Sequence, residues 1–130
     1  MPLLDTSHLV GLIRKNEKSL AIQRDLDDSH EYQYISVITI FELSAGAYRS
    51  THPEEKIREI DLIKEHVEVI PVSCSYADIY GALVNTMQNK GSRIGAFDEI
   101  LAATALGMDG KIITRDSHFL SCPGIEVNMY

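Results

Sequence analysis

Short apolar runs alternate with helically spaced stretches along the chain, and that alternation sets the expected fold. Leu3-Leu4 is a minimal first strand. Thr6-Ser7 follows as a helix-capping pair, and Leu9, Val10, Leu12 and Ile13 then fall at helical spacing. The charged segment from Arg14 to His30 carries apolar Leu20, Ala21, Ile22 and Leu26 and predicts a surface helix. Tyr34-Ile35-Ser36 predicts a second strand, leading into a helix from about Val37 to Tyr48. Thr51-His52-Pro53-Glu54 has capping-box spacing with a proline in the first turn. A helix is therefore expected to start there and to run through Ile57, Ile60, Leu62 and Ile63 toward His66. Val67-Glu68-Val69-Ile70, closed by Pro71, predicts a third strand. Ser73 is expected to cap a long helix carrying Ala77, Tyr80, Leu83, Val84 and Met87, which Gly91 ends. Gly91-Ser92-Arg93-Ile94-Gly95 is expected to be a flexible connection. A helix from about Phe97 to Leu106 precedes a fourth strand, Lys111-Ile112-Ile113-Thr114, and Ile125-Glu126-Val127 predicts a short fifth.

Strands separated by helices pair in parallel through right-handed crossovers. The expected architecture is an α/β fold: a three-layer α/β/α sandwich around a central parallel sheet of four to five strands. Residues 1–130 are expected to form one domain, large enough to bury about two-thirds of the unfolded surface. In open parallel sheets, ligands bind beyond the carboxyl ends of the strands.

Acidic residues stand at those ends. Asp5 sits where the first strand stops, and Asp116 just past the fourth, in Ile112-Ile113-Thr114-Arg115-Asp116. If strands one and four are neighbours, both carboxylates emerge at the same edge. Glu42 lies in Val37-Ile38-Thr39-Ile40-Phe41-Glu42-Leu43, and Asp98 opens a helix, Asp98-Glu99-Ile100-Leu101-Ala102-Ala103-Thr104-Ala105, that is apolar on almost all sides. Each acid has an ordinary structural explanation. Asp5 and Asp116 could cap helical turns, and Glu42 and Asp98 could be acids favoured by a helix dipole. Helix caps, however, need not sit at strand ends or on buried faces. Carboxylates gathered in low dielectric raise one another's pKa, and no segment offers an obvious basic partner. A hard divalent cation resolves the repulsion, and all-oxygen ligands favour Mg²⁺ or Mn²⁺ over zinc or copper. Glu99 adjoins Asp98, but adjacent helical residues do not share a face, so Asp98 is preferred.

Charge strengthens the case for a cation. The chain has 12 Lys+Arg against 19 Asp+Glu, a net charge of −7. An acidic protein lacks the field that holds nucleic acid by phosphate contacts alone, and a bound cation would offset that. Two cysteines, Cys74 and Cys122, exclude a disulfide framework and a four-thiolate metal site, and both are expected as small buried hydrophobes. No apolar run approaches the roughly 18 residues of a membrane helix. The amino end reaches Asp5 before a signal-peptide core forms, so a cytoplasmic protein is expected. The histidines, His118 included, show no paired metal-ligand spacing and are expected to be structural or exposed. Arg14, Lys15, Lys18, Arg49, Lys90 and Arg93 either frame a groove for RNA or form solvated faces. Arg49, seven positions past Glu42, is the first candidate for a phosphate contact, and Arg115 either meets phosphate or points into solvent.

Leu3-Leu4-Asp5-Thr6-Ser7, the Glu42 helix, Asp98 to Ala105, and Thr114-Arg115-Asp116 resemble the PIN-domain signature, in order and on the matching elements. The length and the closing Cys122-Pro123-Gly124-Ile125-Glu126-Val127 resemble a VapC-type toxin of a toxin–antitoxin pair. The resemblance implies an endoribonuclease with Mg²⁺ or Mn²⁺ held by Asp5, Glu42, Asp98 and Asp116. It implies that Ser7 and Thr114 are hydroxyls supporting a carboxylate or a bound water. It further implies a homodimer, an RNA substrate, and inhibition by a small antitoxin whose tail enters the acidic groove. In the hydrolysis so expected, Asp5, Asp98 and Asp116 hold the cation, and Glu42 ligates it or acts as base toward the attacking water. Two alternatives remain open at this point: a catalytically silent PIN-fold binding module, and a Mg²⁺-dependent phosphotransfer or phosphatase domain. A phosphatase needs a second acid two residues after Asp5, where this chain has Ser7, and a phosphotransfer receiver wants an acidic pair there and a lysine at a late strand end, whereas Lys111 stands at a strand's start.

Overall fold

In the computed structural model, which describes residues 1–130, five parallel strands lie in the order β3-β2-β1-β4-β5. They are β1 (Leu3–Leu4), β2 (Tyr34–Ser36), β3 (Glu68–Ile70), β4 (Lys111–Thr114) and β5 (Glu126–Met129). The register pairs Leu3 with both Tyr34 and Ile112, and Leu4 with Ile113, so β1 and β4 are neighbours.

The period-two alternation of strand side chains sorts the strand residues into two cores. Leu3, Tyr34 and Ile112 face one layer, α5 (Ala77–Asn89) and α6 (Ala96–Leu106), and pack with Leu83, Met87, Leu101, Ala105 and Phe119. Leu4, Ile35 and Ile113 face the other layer: α1 (Thr6–Ile13), α2 (Glu17–Asp28), α3 (Val37–Arg49) and α4 (Pro53–His66). A sheet covered on both faces accounts for its continuously apolar central strands. Ile60 and Leu83 are core residues on this arrangement, each 4% exposed.

Several local expectations change. The capping box at Thr51 does not form: His52 precedes the helix without a side-chain cap, and Pro53, which lacks an N–H to satisfy, starts α4 directly. Ser73 caps a short 3₁₀ turn, Cys74–Tyr76, ahead of α5 rather than the helix itself. Cys74 is exposed, and only Cys122 is buried.

The segment 91–95 is clamped rather than flexible. Arg93 donates from Nε and Nη2 to the Glu99 carboxylate at 2.5 and 2.8 Å, and from Nη1 to Gln88 at 3.3 Å. Glu99 is fully buried. Arg93 therefore frames no groove, and Glu99 is an ion-paired structural acid.

Gly11 of α1 faces α2 at close quarters. A Cβ there would overlap the hydroxyl of buried Ser19 and lie 3.2 Å from Arg115 Nη1. Gly11→Ala is expected to destabilise the protein by about 1–3 kcal/mol through overpacking. A denaturant midpoint equal to that of the parent chain would contradict the close approach.

Candidate active site

The chain order steps from β1 outward to β3 on one side and from β4 to β5 on the other. The crevice beyond the β1 and β4 carboxyl ends is thus the topological switch point of the sheet. Asp5 follows β1 directly, and Thr114 closes β4 with Asp116 just beyond. Glu42 comes from the middle of α3 and Asp98 from the first turn of α6. All four acids line one open crevice of about 510 Å³, together with Thr6, Ser7, Val10, Arg115 and Tyr130. A larger cavity of about 790 Å³, lined from α2 and α4, contains none of the four, so chemistry rather than size selects the smaller one.

Three of the carboxylates are held by one oxygen each. Asp5 Oδ2 accepts from the Ser7 hydroxyl at 2.8 Å, the Ser7 backbone N–H at 3.3 Å and the Thr114 hydroxyl at 2.8 Å. The oxygens of Ser7 and Thr114 in turn accept from the backbone N–H groups of Arg115 and Asp116, at 2.8 and 2.9 Å. Both hydroxyls thereby tie the end of β4 to the Asp5 carboxylate. Glu42 Oε1 accepts from the Thr6 hydroxyl at 2.7 Å. Asp116 Oδ1 accepts from the His118 backbone N–H at 2.9 Å and lies 3.2 Å from His118 Nδ1. Asp5 and Asp116 are indeed N-caps, of α1 and of the 3₁₀ turn Ser117–Ser121. Capping and convergence coexist because the cap uses one oxygen and leaves the second to the crevice.

Asp98 has no such donor. Its pKa is pushed up to about 6, first by burial and then by the charges of Asp5, Glu42 and Asp116, with His118 a smaller opposing influence. Ligand atoms of Asp98, Asp116 and His118 lie within 4.8 Å of one another. The fit to a hard cation follows from this donor set. Asp98 and Asp116 offer carboxylate oxygens close enough to share a divalent ion, with His118 beside them, while Asp5 and Glu42 line the same crevice outside that close group.

Two arginines expected near phosphate part company. Arg115 lines the crevice. Arg49, the last residue of α3, is exposed and absent from its lining, because seven residues along a helix is a displacement of about 10 Å. Thr6, His118 and Tyr130 belong to the site without having been singled out by spacing. Thr6 and His118 could have been found by their positions one and two residues from Asp5 and Asp116. Tyr130 carries no such signal.

Thr114→Val keeps the shape of the buried side chain but removes a donor to Asp5. Activity is expected to fall by about 10- to 100-fold, the usual effect of losing a group that orients a metal ligand. Unchanged turnover would show that Asp5 needs no support from β4.

The PIN domain family model matches residues 3–124. Ribonuclease VapC1 of Haemophilus influenzae (strain R2866) is 31% identical over 114 residues, which cover 88% of this chain and 85% of that protein. A chain of the VapBC2 complex of Rickettsia felis, crystallised with a DNA fragment from its promoter, superposes with a TM-score of 0.89 at 25% identity. That match covers 98% of this chain and 97% of the other. A chain of a toxin–antitoxin complex from Klebsiella pneumoniae superposes with a TM-score of 0.71 at 25% identity, over 97% and 96% of the two chains. With the parallel sheet and the acidic crevice at its switch point, these matches establish that the chain belongs to the PIN domain family.

Proposed function

We propose that this chain is a metal-dependent endoribonuclease, hydrolysing RNA phosphodiester bonds as the toxin of a type II toxin–antitoxin pair. The observation that carries the proposal is the gathering of Asp5, Glu42, Asp98 and Asp116 in one crevice, where burial first, and then the charges of the other three acids, push Asp98 up to about pKa 6. Similarity to a protein named a ribonuclease and to a chain of a toxin–antitoxin complex supports it.

Asp5, Asp98 and Asp116 would hold Mg²⁺ or Mn²⁺, with Glu42 as a further ligand or as base. When bound, such an ion makes water a nucleophile near neutral pH and neutralises charge developing on a phosphoryl group. The chain's own groups do the rest. Ser7 and Thr114 fix Asp5, and Thr6 fixes Glu42 so that its second carboxylate oxygen can take a proton from the attacking water. Arg115, which lines the crevice, is the proposed contact for a substrate phosphate.

A small antitoxin is the proposed inhibitor. A basic tail suits a crevice where four carboxylates face one arginine. Homodimerisation is proposed through the outer face of α3, where Phe41 and Tyr48 are 60% and 73% exposed. No helix is long and apolar enough to cross a membrane. The proposed place of action is the cytoplasm, where the substrate RNA is.

The test is direct. Purified chain is incubated with short single-stranded RNA in Mg²⁺, Mn²⁺ or EDTA, beside Asp5→Asn and Asp98→Asn. Cleavage is expected only for the unsubstituted chain with metal. Equal RNA decay in every sample would defeat the proposal.

A further inference from the structure

One wall of the crevice is not acidic. Val10 and Tyr130 are its apolar lining residues, and Tyr130 supplies the aromatic ring. The ring is firmly anchored. The Tyr130 backbone N–H donates to the Thr114 carbonyl at 3.3 Å, prolonging the pairing of β5 with β4. Its hydroxyl is turned away into the protein, hydrogen-bonded to His8 Nδ1 and to Ser19 Oγ, the latter at 2.9 Å. Both partners are fully buried. The His8 ring meets the Tyr130 ring edge-on, with centroids 5.6 Å apart and planes at 85°. On its far side, His8 Nε2 lies 2.9 Å from Gln23 Oε1, and Gln23 is bonded to Gln33 and Asp27 at 2.6 and 3.0 Å. Gly11 leaves the space in which Ser19 and the Arg115 guanidinium meet beside this network.

With its hydroxyl engaged by His8 and Ser19, Tyr130 lines the crevice with no free hydroxyl to offer. An acidic crevice repels the phosphates of a nucleic acid but not its bases. Stacking on an aromatic face holds any base, since every base has a π-face, and an adjacent arginine adds to it. We propose that Tyr130, with Val10 and Arg115 lining the same crevice, is a nucleobase subsite: the base next to the cleaved phosphate stacks on the Tyr130 ring. The subsite rests on the ribonuclease reading for its substrate class. Tyr130 contacts the base and transfers no proton.

The experiment uses Asp98→Asn, in which cleavage is expected to be lost, as the parent for Tyr130→Leu and Tyr130→Phe. The probe is a random-sequence pool of short single-stranded RNA containing 5-iodouridine. By fluorescence anisotropy, Tyr130→Leu is expected to weaken binding about tenfold, the usual effect of removing one stacking ring. Tyr130→Phe, which keeps the ring, should stay within about threefold of the parent. Illumination of the parent complex should place the crosslink on Tyr130. Equal affinity for Tyr130→Leu overturns the subsite. Should that variant fail to fold, the crosslink decides, and adducts confined to other residues overturn it. The two proposals fail separately. Loss of metal-dependent cleavage by the unsubstituted chain would sink the ribonuclease reading, while the affinity comparison would still judge the subsite.

Discussion

Asp98→Asn is expected to lower RNA cleavage by about 10³-fold or more and, in the absence of metal, to raise the melting temperature. The two effects have one cause. A carboxylate that helps hold a catalytic ion contributes several kcal/mol of charge stabilisation in the transition state. Without the ion, the same carboxylate is a liability. Its pKa rises from 3.8 to about 6 through burial and the neighbouring acids. At about 1.4 kcal/mol per unit, the ionised group costs the metal-free fold up to roughly 3 kcal/mol, lessened by solvent screening in an open crevice.

The sign with pH follows. Below about pH 4, Asp98 is protonated in the folded and unfolded chains alike, and no penalty exists. Above about pH 6 it is ionised in both, and the full repulsion acts on the fold. Between those limits the folded chain keeps a proton that the unfolded chain has released. Metal-free stability attributable to Asp98 therefore falls as pH rises through the window. Asparagine abolishes that dependence. Conversely, metal affinity of the unsubstituted chain should weaken as pH drops below about 6, because the ion then competes with a proton. Thermal melts with EDTA at pH 5 and pH 7.5 check the first claim. A lower midpoint for Asp98→Asn at pH 7.5 would contradict the crowding of the carboxylates.

Arg93→Met is expected to have the largest effect on stability, a fall in melting temperature on the order of 10 °C. It leaves the Glu99 carboxylate, which has no solvent exposure, without its partner. Removing one member of a fully buried ion pair commonly costs about 3–5 kcal/mol, and since Glu99 is fully buried while Arg93 is 40% exposed the loss here is expected toward or below the lower end. The double variant Arg93→Met/Glu99→Gln should recover much of the loss, since the amide needs no counter-charge. Failure to recover would mean that Arg93 acts through its own packing instead. Because Glu99 sits beside Asp98 at the start of α6, the single variant should also loosen metal binding.

The strand and helix pattern was legible because both physical signals were strong. Leu3-Leu4, Tyr34-Ile35 and Ile112-Ile113 alternate between two cores, and Leu101 to Ala105 is buried on nearly every side. That the four acids share one crevice was legible for the same reason: a charge at a strand end, as at Asp5 and Asp116, or inside an apolar helix, as at Glu42 and Asp98, is conspicuous. Less visible was whatever depends on distant pairing. Nothing near Glu99 reveals that an arginine six positions upstream folds back onto it, so the segment containing Gly91 and Gly95 looked free. Arg49 looked close to Glu42 by angular spacing, while the rise along α3 carries it away. Tyr130 reaches the crevice only because β5 pairs with β4, and its link to His8 spans 122 residues.

Mn²⁺ titration by calorimetry, on the unsubstituted chain and on Asp5→Asn, Glu42→Gln, Asp98→Asn and Asp116→Asn, measures the shared site most directly. The predicted result is binding by the unsubstituted chain and a loss of affinity of about tenfold or more in each variant. Mn²⁺ affinity indifferent to Asp98→Asn and Asp5→Asn would contradict a common ion.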